Sequence, residues 1–314
     1  MCTAATYQTK DFYFGRNLDY ESTYGESVTI MPRHFVLHLR NGRTIKEHYA
    51  VIGMAHVRNG YPLYYDGMNE KGLCIAGLNF VGNASYEKEI RKPGSVAQFE
   101  LIPWLLSVCA SVEEARKALE GTTVTGEEFE PGMPAAQLHW MIADRTSCIV
   151  LEIMEDGMHI YDNPAGVLTN NPTFPMQLFH LNNYAGLSAK PVQNRFGIPL
   201  ASYSRGMGAI GLPGDLSSQS RFVRASFVRA NSRTGSTEKE SAGQLFHILA
   251  SVEQQKGCCE LENGKYEYTI YSSCMNADQG IYYYRTYDEQ NIRKVQMKPE
   301  NRDGSELLIH DTLY

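Results

Sequence analysis

The chain has 314 residues, 43% hydrophobic and 20% charged, with a formal net charge of −6. This composition supplies a globular core and excludes a disordered chain, and with an acidic balance and no run of Lys and Arg no nucleic-acid partner is expected. The most apolar stretch, VAQFELIPWLLSVCASV, is broken by Gln98, Glu100 and Pro103; a bilayer span needs roughly 20 apolar residues, so no membrane partner is expected.

From the N-terminus, CTAATYQT and FYFGRNLDY read as a β-hairpin that turns near Lys10-Asp11. YYDGMNEKGLCIAGLNF reads as two strands around the polar turn Asn69-Glu70-Lys71-Gly72. SVEEARKALEG predicts a helix with Ser111 as its cap, Glu114 completing a capping box and Gly121 as its stop. In QLHWMIAD, Leu138, Trp140 and Ile142 alternate with His139, Met141 and Ala143, and SCIVLEIME puts Ile149, Leu151 and Ile153 on one face. SAGQLFHILASVEQQKG predicts a second helix, capped by Ser241, striped by Leu245, Ile248, Leu249 and Val252, and stopped at Gly257. KYEYTIYSSCMN and GIYYYRTYD are aromatic β segments that pair across ADQG. Helices segregated from hairpin-linked strands predict an α+β fold. A helix–sheet–sheet–helix sandwich fits this order, although periodicity alone does not choose it over other α+β layouts. No repeat or linker divides the chain, so one domain over residues 1–314 is expected.

The cysteines are Cys2, Cys74, Cys109, Cys148, Cys258, Cys259 and Cys274, an odd number without a CxxC. That argues against a disulfide scaffold or zinc site and for a reducing compartment. The first ten residues are polar, with no apolar targeting segment, so a cytoplasmic location is expected. No histidine has metal-like spacing, and no metal or cofactor is expected. Cys2 directly follows the start methionine. If Met1 is removed, Cys2 carries an amine beside its thiol, and both groups titrate close to neutrality. The amine can then take the thiol proton and return it to a leaving group. The hairpin brings Arg16 and Asp19 of GRNLD toward Cys2. A guanidinium favours the thiolate, and a carboxylate can orient the ammonium.

MCT, FGRNLDY, DGMNEKGLCIAGLNF, GVLTNNPTF, GLPGDLSSQSRFVRASF and YTIYSSCMNADQGIYYYRTYD together resemble the choloylglycine hydrolase family of N-terminal nucleophile hydrolases. The resemblance implies a four-layer αββα sandwich, a small-molecule substrate, no cofactor and a homo-oligomer, often a homotetramer. It implies that Cys2 is the nucleophile once Met1 is lost. It carries catalytic roles onto Arg16, Asp19, Asn79 of AGLNF, Asn170 of LTNNP and Arg221 of SRF. Asn79 is the oxyanion candidate, and Asn170 would orient the amine, with Asn171 as the alternative one residue away. The family cleaves the glycine or taurine amide of bile salts, or the phenoxyacetyl amide of penicillin V. Asparagine at position 79 and the GLPGD block lean toward bile salts. A thioester intercepted by an amine would instead give an N-acyltransferase. Leu18, Tyr24, Tyr65, Phe129 and Leu138, on segments expected to border Cys2, are the candidate substrate-binding residues.

Overall fold

The structure, a computed structural model, describes residues 1–88 and 94–310. Strands β1 (Cys2–Gln8) and β2 (Phe12–Tyr20) form the predicted hairpin. β3 (Ser27–Met31) follows, then a ribbon of β4 (Leu37–His38) and β5 (Thr44–Ile45). β6 (Val51–Arg58), β7 (Tyr61–Asn69) and β8 (Cys74–Asn79) form an antiparallel meander. The Asn69–Gly72 turn joins its last two strands; Asn69 Oδ1 caps it by accepting from Lys71 N and Leu73 N. β9 (Ser95–Ala97) and β10 (Thr123–Thr125) pair around α1 (Leu101–Val108) and α2 (Val112–Leu119). β11 (Leu138–Ala143), β12 (Cys148–Met154) and β13 (Gly157–Asp162) follow, then β14 (Val167–Leu168) and α3 (Phe174–His180). Helices α4 (Ser218–Asn231) and α5 (Glu238–Ala250) precede β15 (Tyr268–Asn276), β16 (Ile281–Thr286), β17 (Arg293–Gln296) and β18 (Leu308–Ile309).

Two sheets result. One has the order β14-β1-β2-β15-β16-β17, and the other β13-β12-β11-β8-β7-β6-β3-β18. Helices α4 and α5 cover the outer face of the first sheet, and α1 and α2 cover that of the second. The inner faces meet through residues such as Phe14, Leu18, Ile52, Met68 and Met141. This is the four-layer αββα sandwich that the family resemblance implies. Strand period two sets the layers. Trp140, Ile142, Ile149 and Leu151 face α1 and α2, while Met141, Ala143 and Val150 face the other sheet.

Local signals misplaced some helix ends. Thr237, not Ser241, caps α5: its hydroxyl accepts from Glu240 N, and the Glu240 carboxylate accepts from Thr237 N, a full capping box. Ser241 lies inside the helix and donates back to Thr237 O. The helix ends at Ser251, ahead of Gly257. Ser111 does cap α2, but the Glu114 carboxylate reaches Ala110 N instead of the Ser111 amide. Helices α1, α3 and α4 had no clear pattern. LIPWLLSV is apolar on every side, and a short apolar run does not distinguish helix from strand. Helix α4 buries an arginine, Arg221, where periodicity looks for an aliphatic side chain.

Helix α5 and strand β15 leave no room at Gly15. A Cβ there would stand 2.1 Å from Ser273 O and 3.0 Å from Leu245 Cδ2. Gly15→Ala is expected to prevent normal folding, read as loss of the cooperative melt in circular dichroism; a wild-type melting curve would contradict this packing.

Candidate active site

Register builds the centre. Across the hairpin Cys2 pairs with Leu18, and Ala4 with Arg16. The even-numbered residues of both strands point into the space between the sheets. There the Cys2 side chain is buried, and Arg16 Nη2 donates to its Sγ at 2.6 Å. Arg16 Nη1 donates to Tyr65 O at 3.1 Å and Gly77 O at 2.8 Å, so the opposite sheet clamps the guanidinium. Burial works against the Arg16 charge. The charges of Cys2, Tyr271, Asp66 and Asp19 outweigh it, so the Arg16 pKa is raised.

On the other side of β1, Ala4 pairs with Leu168 and Ala5 with Val167. Continuing that antiparallel register carries Asn170 alongside Cys2. Asn170 Oδ1 accepts from Cys2 N at 2.8 Å and from Arg221 Nη2 at 2.8 Å, while its Nδ2 donates to Asn79 O at 2.7 Å. Three partners of fixed polarity therefore set the amide orientation. Asn170, and not Asn171, makes this contact; Asn171 Nδ2 reaches Val81 O. Ser218 Oγ holds Asn170 N at 2.8 Å, and His139 Nε2 lies 2.9 Å from Thr169 O.

Arg221 enters from the helix layer. Its Nη1 donates to Cys2 O and to Thr3 Oγ1, each at 2.6 Å. Burial pulls its pKa down. Asp19 lies on the same helix-side face. Its carboxylate accepts from Thr269 Oγ1 at 2.6 Å and stands 3.9 Å from Arg221 Nη1. Arg16 and Asp19 are both fully buried, and they lie on opposite faces of β2. Met1 continues β1: its amine donates to Asp19 O at 2.8 Å and pairs with the Glu267 carboxylate, and Asp19 N donates to Met1 O at 2.9 Å. Burial lowers the pKa of that amine. Asn79 ends β8 half-buried, and its side-chain amide has no hydrogen-bond partner among the described residues.

A buried thiol beside a guanidinium, with its own main-chain nitrogen held by an asparagine, is an arrangement for acyl transfer through sulfur. The comparisons agree with it. The family described as linear amide C-N hydrolases, choloylglycine hydrolase family, matches residues 2–310. The chain belongs to the choloylglycine hydrolase family. It is 54% identical over 312 residues to a bile salt hydrolase/transferase of Lactiplantibacillus plantarum, covering 99% of this chain and 96% of that one. A crystal structure of a mutant conjugated bile acid hydrolase from Clostridium perfringens matches with a TM-score of 0.91 at 36% identity, covering 99% of this chain and 97% of the other. A penicillin V acylase from Agrobacterium tumefaciens shares the fold, with a TM-score of 0.77 at 21% identity over 98% of this chain and 90% of that one.

In this choloylglycine hydrolase family member the proposed substrate-binding residues do not share one place. Leu18 lies against Cys2 between the sheets. Tyr65 is half-buried against the same cluster, and Tyr24 is exposed with its ring 5.6 Å from that of Tyr20. Phe129 packs on Tyr61 and Phe99, and Leu138 on the helix-side cluster with Trp140, so neither shares the inter-sheet face with Cys2. Strand parity explains Leu138: like Trp140 and Ile142, it is one of the alternate residues of β11 that turn toward the helices.

Asp66, Tyr271, Tyr282, Thr269 and Glu267 were missed. Two β-bulges hid Asp66, Thr269 and Tyr271. In β15 the register slips between Thr269 and Tyr271, so Thr269 reaches Asp19 on the helix side and Tyr271 reaches Asp66 between the sheets. In β7 the extra residue is Tyr65, whose carbonyl takes Arg16.

Asn170→Leu removes the acceptor for Cys2 N. Its kcat/KM for amide cleavage is expected to fall on the order of a hundredfold, about 3 kcal/mol. Asn171→Leu serves as the control and should stay within about threefold of wild type; equal losses in the two variants would contradict the assignment.

Proposed function

We propose that this protein hydrolyses the amide bond of glycine- or taurine-conjugated bile acids, with Cys2 as an N-terminal nucleophile after Met1 is removed. The observation that carries the reading is Cys2 itself, with Sγ 2.6 Å from a buried guanidinium and N 2.8 Å from Asn170 Oδ1. Once Met1 is gone that nitrogen is a free amine, and it takes the thiol proton. Sγ attacks the amide carbon, and the carbonyl oxygen becomes an oxyanion. The Asn79 side-chain amide donates to it, an interaction worth about 3 kcal/mol in such sites. The ammonium returns its proton to the departing amino-acid nitrogen, the C–N bond breaks, and a thioester remains on Cys2. Water then attacks the thioester carbon, releasing the bile acid and restoring the thiol. Asn170 orients the amine. Arg221 fixes the Cys2 carbonyl, and Asp19 stands behind Arg221 as its carboxylate partner.

An amine in place of water would give a new amide, and the Lactiplantibacillus plantarum relative carries both hydrolase and transferase in its name. Transfer to amino acids is therefore proposed as a second outcome of the same thioester. Penicillin V is the competing substrate, and asparagine at position 79 favours the bile salt. No helix among the described residues is long and apolar enough to cross a membrane. Seven unpaired cysteines fit the reducing cytoplasm, which we take as its location. The exposed side chains of Phe196, Ile198, Tyr203 and Ile210, on an irregular arm, fit burial in a homo-oligomer, which we assign as a homotetramer.

Cys2→Ala is expected to abolish turnover and leave the melting temperature near that of the wild type; retained hydrolysis would sink the nucleophile assignment. Side-by-side assays of glycocholate, taurocholate and penicillin V should show bile acid release faster than phenoxyacetate release. The reverse order would make the protein a penicillin V acylase.

A further inference from the structure

Asp66 is a fully buried carboxylate that the mechanism above does not use. Tyr271 OH donates to its Oδ2 and Tyr282 OH to its Oδ1, each at 2.6 Å. All three residues point into the space that holds Cys2 and Arg16. Asp66 directly follows Tyr65 and pairs with Ala76, the neighbour of Gly77. The carbonyls of Tyr65 and Gly77 are the two that clamp Arg16 Nη1. From β15, Tyr271 pairs with Leu18 and Ser273 with Arg16. The Arg16 guanidinium therefore holds the Cys2 thiol directly, and the Asp66 carboxyl lies in the same buried space beyond ion-pair contact, where it acts on the Arg16 charge through space.

The thiol cannot be the permanent counter-charge. Once Cys2 carries an acyl group its sulfur is neutral, while Arg16 stays charged and buried. An unpaired buried charge is strongly disfavoured. We propose that Asp66 is a positioning residue: an ionised carboxylate, held by Tyr271 and Tyr282, that remains the counter-ion of Arg16 when Cys2 is acylated. It acts through Arg16 and touches neither sulfur nor substrate. Two short hydroxyl donors favour the ionised carboxylate, while burial raises the Asp66 pKa. The facing groups are Arg16 from β2, Tyr271 from β15, Tyr282 from β16 and Cys74 from β8. Asp19 and Arg221 approach from the other face of the first sheet. As pH falls through the raised Asp66 value, the carboxylate takes a proton and Arg16 loses its counter-ion.

This inference rests on Cys2 being the nucleophile, but its first test needs no substrate. The rate of Cys2 alkylation by iodoacetamide would be followed against pH in the processed protein. With Asp66→Asn the thiolate feels an unopposed Arg16, so the midpoint is expected to move down by about one pH unit. The limiting alkylation rate should also fall, because a less basic thiolate is a weaker nucleophile. In turnover, kcat should drop more than KM changes. An unchanged or raised midpoint in folded Asp66→Asn would overturn the proposal, since mere loss of Arg16 placement moves the midpoint upward. If that variant does not fold, Tyr282→Phe decides. It removes one donor to the carboxylate, and the acid limb of kcat/KM should then shift to higher pH; an unmoved limb counts against Asp66. Absence of bile acid turnover in the wild type would fail the substrate reading alone and leave the alkylation result standing.

Discussion

The pairing of β1 with β2 is the constraint on which the site depends. It sets Cys2 opposite Leu18, and it puts Arg16 on the same face as the thiol, near enough to donate to it. A slip of one residue would turn Arg16 to the helix layer and Asp19 to the sulfur. The register is fixed from both sides, by β14 against β1 and by β15 against β2. Close packing at Gly15 adds to this, because α5 and β15 approach too near for any side chain. A fold with two stacked sheets gives the nucleophile a dry setting and two faces. One face carries the sulfur and its arginine. The other carries Arg221 and Asp19, which hold the main chain.

Buried charge follows from that layout. Arg16 and Arg221 are fully buried cations, and the carboxyl groups of Asp19, Asp66 and Glu267 are buried around them. Isolated, each would be costly to bury. Together they form a hydrogen-bonded set, satisfied by tyrosine and threonine hydroxyls, an asparagine and main-chain carbonyls. Such a set contributes little net stability compared with apolar packing. Its value lies in function, because it keeps a guanidinium hydrogen-bonded to a thiol in a low-dielectric space. The same burial disfavours a protonated terminal amine, as the lowered pKa at Met1 illustrates.

Much of the layout was legible from local pattern. The alternation in QLHWMIAD and SCIVLEIME sorted side chains between the two faces, and the first hairpin was read with its turn in the right place. Motif blocks pointed to Cys2, Arg16, Asp19, Asn79, Asn170 and Arg221, and the structure gathers Cys2, Arg16, Asn170 and Arg221 into one bonded set. The rest depends on long-range geometry. Asp66 and Tyr271 face each other because of irregular strand register, and no period in the sequence encodes a bulge. Helix α4 was unreadable because an arginine, Arg221, stands among its buried residues Phe222, Val223 and Ala225. Phe129 and Leu138 were grouped with the site by loop adjacency, whereas strand parity and aromatic packing direct them to the helix side. Loop order in the chain says which segments are near, but not which way their side chains point.

The central claim is that acyl transfer runs through a cysteine that carries its own free amine. The most direct measurement is intact and peptide mass spectrometry of the enzyme quenched in acid during turnover of a conjugated bile acid. The account predicts an N-terminal peptide that begins at Cys2, lacks Met1 and carries the bile acyl group as a thioester on that cysteine. Turnover by protein that retains Met1, or an acyl group on any other residue, would contradict it.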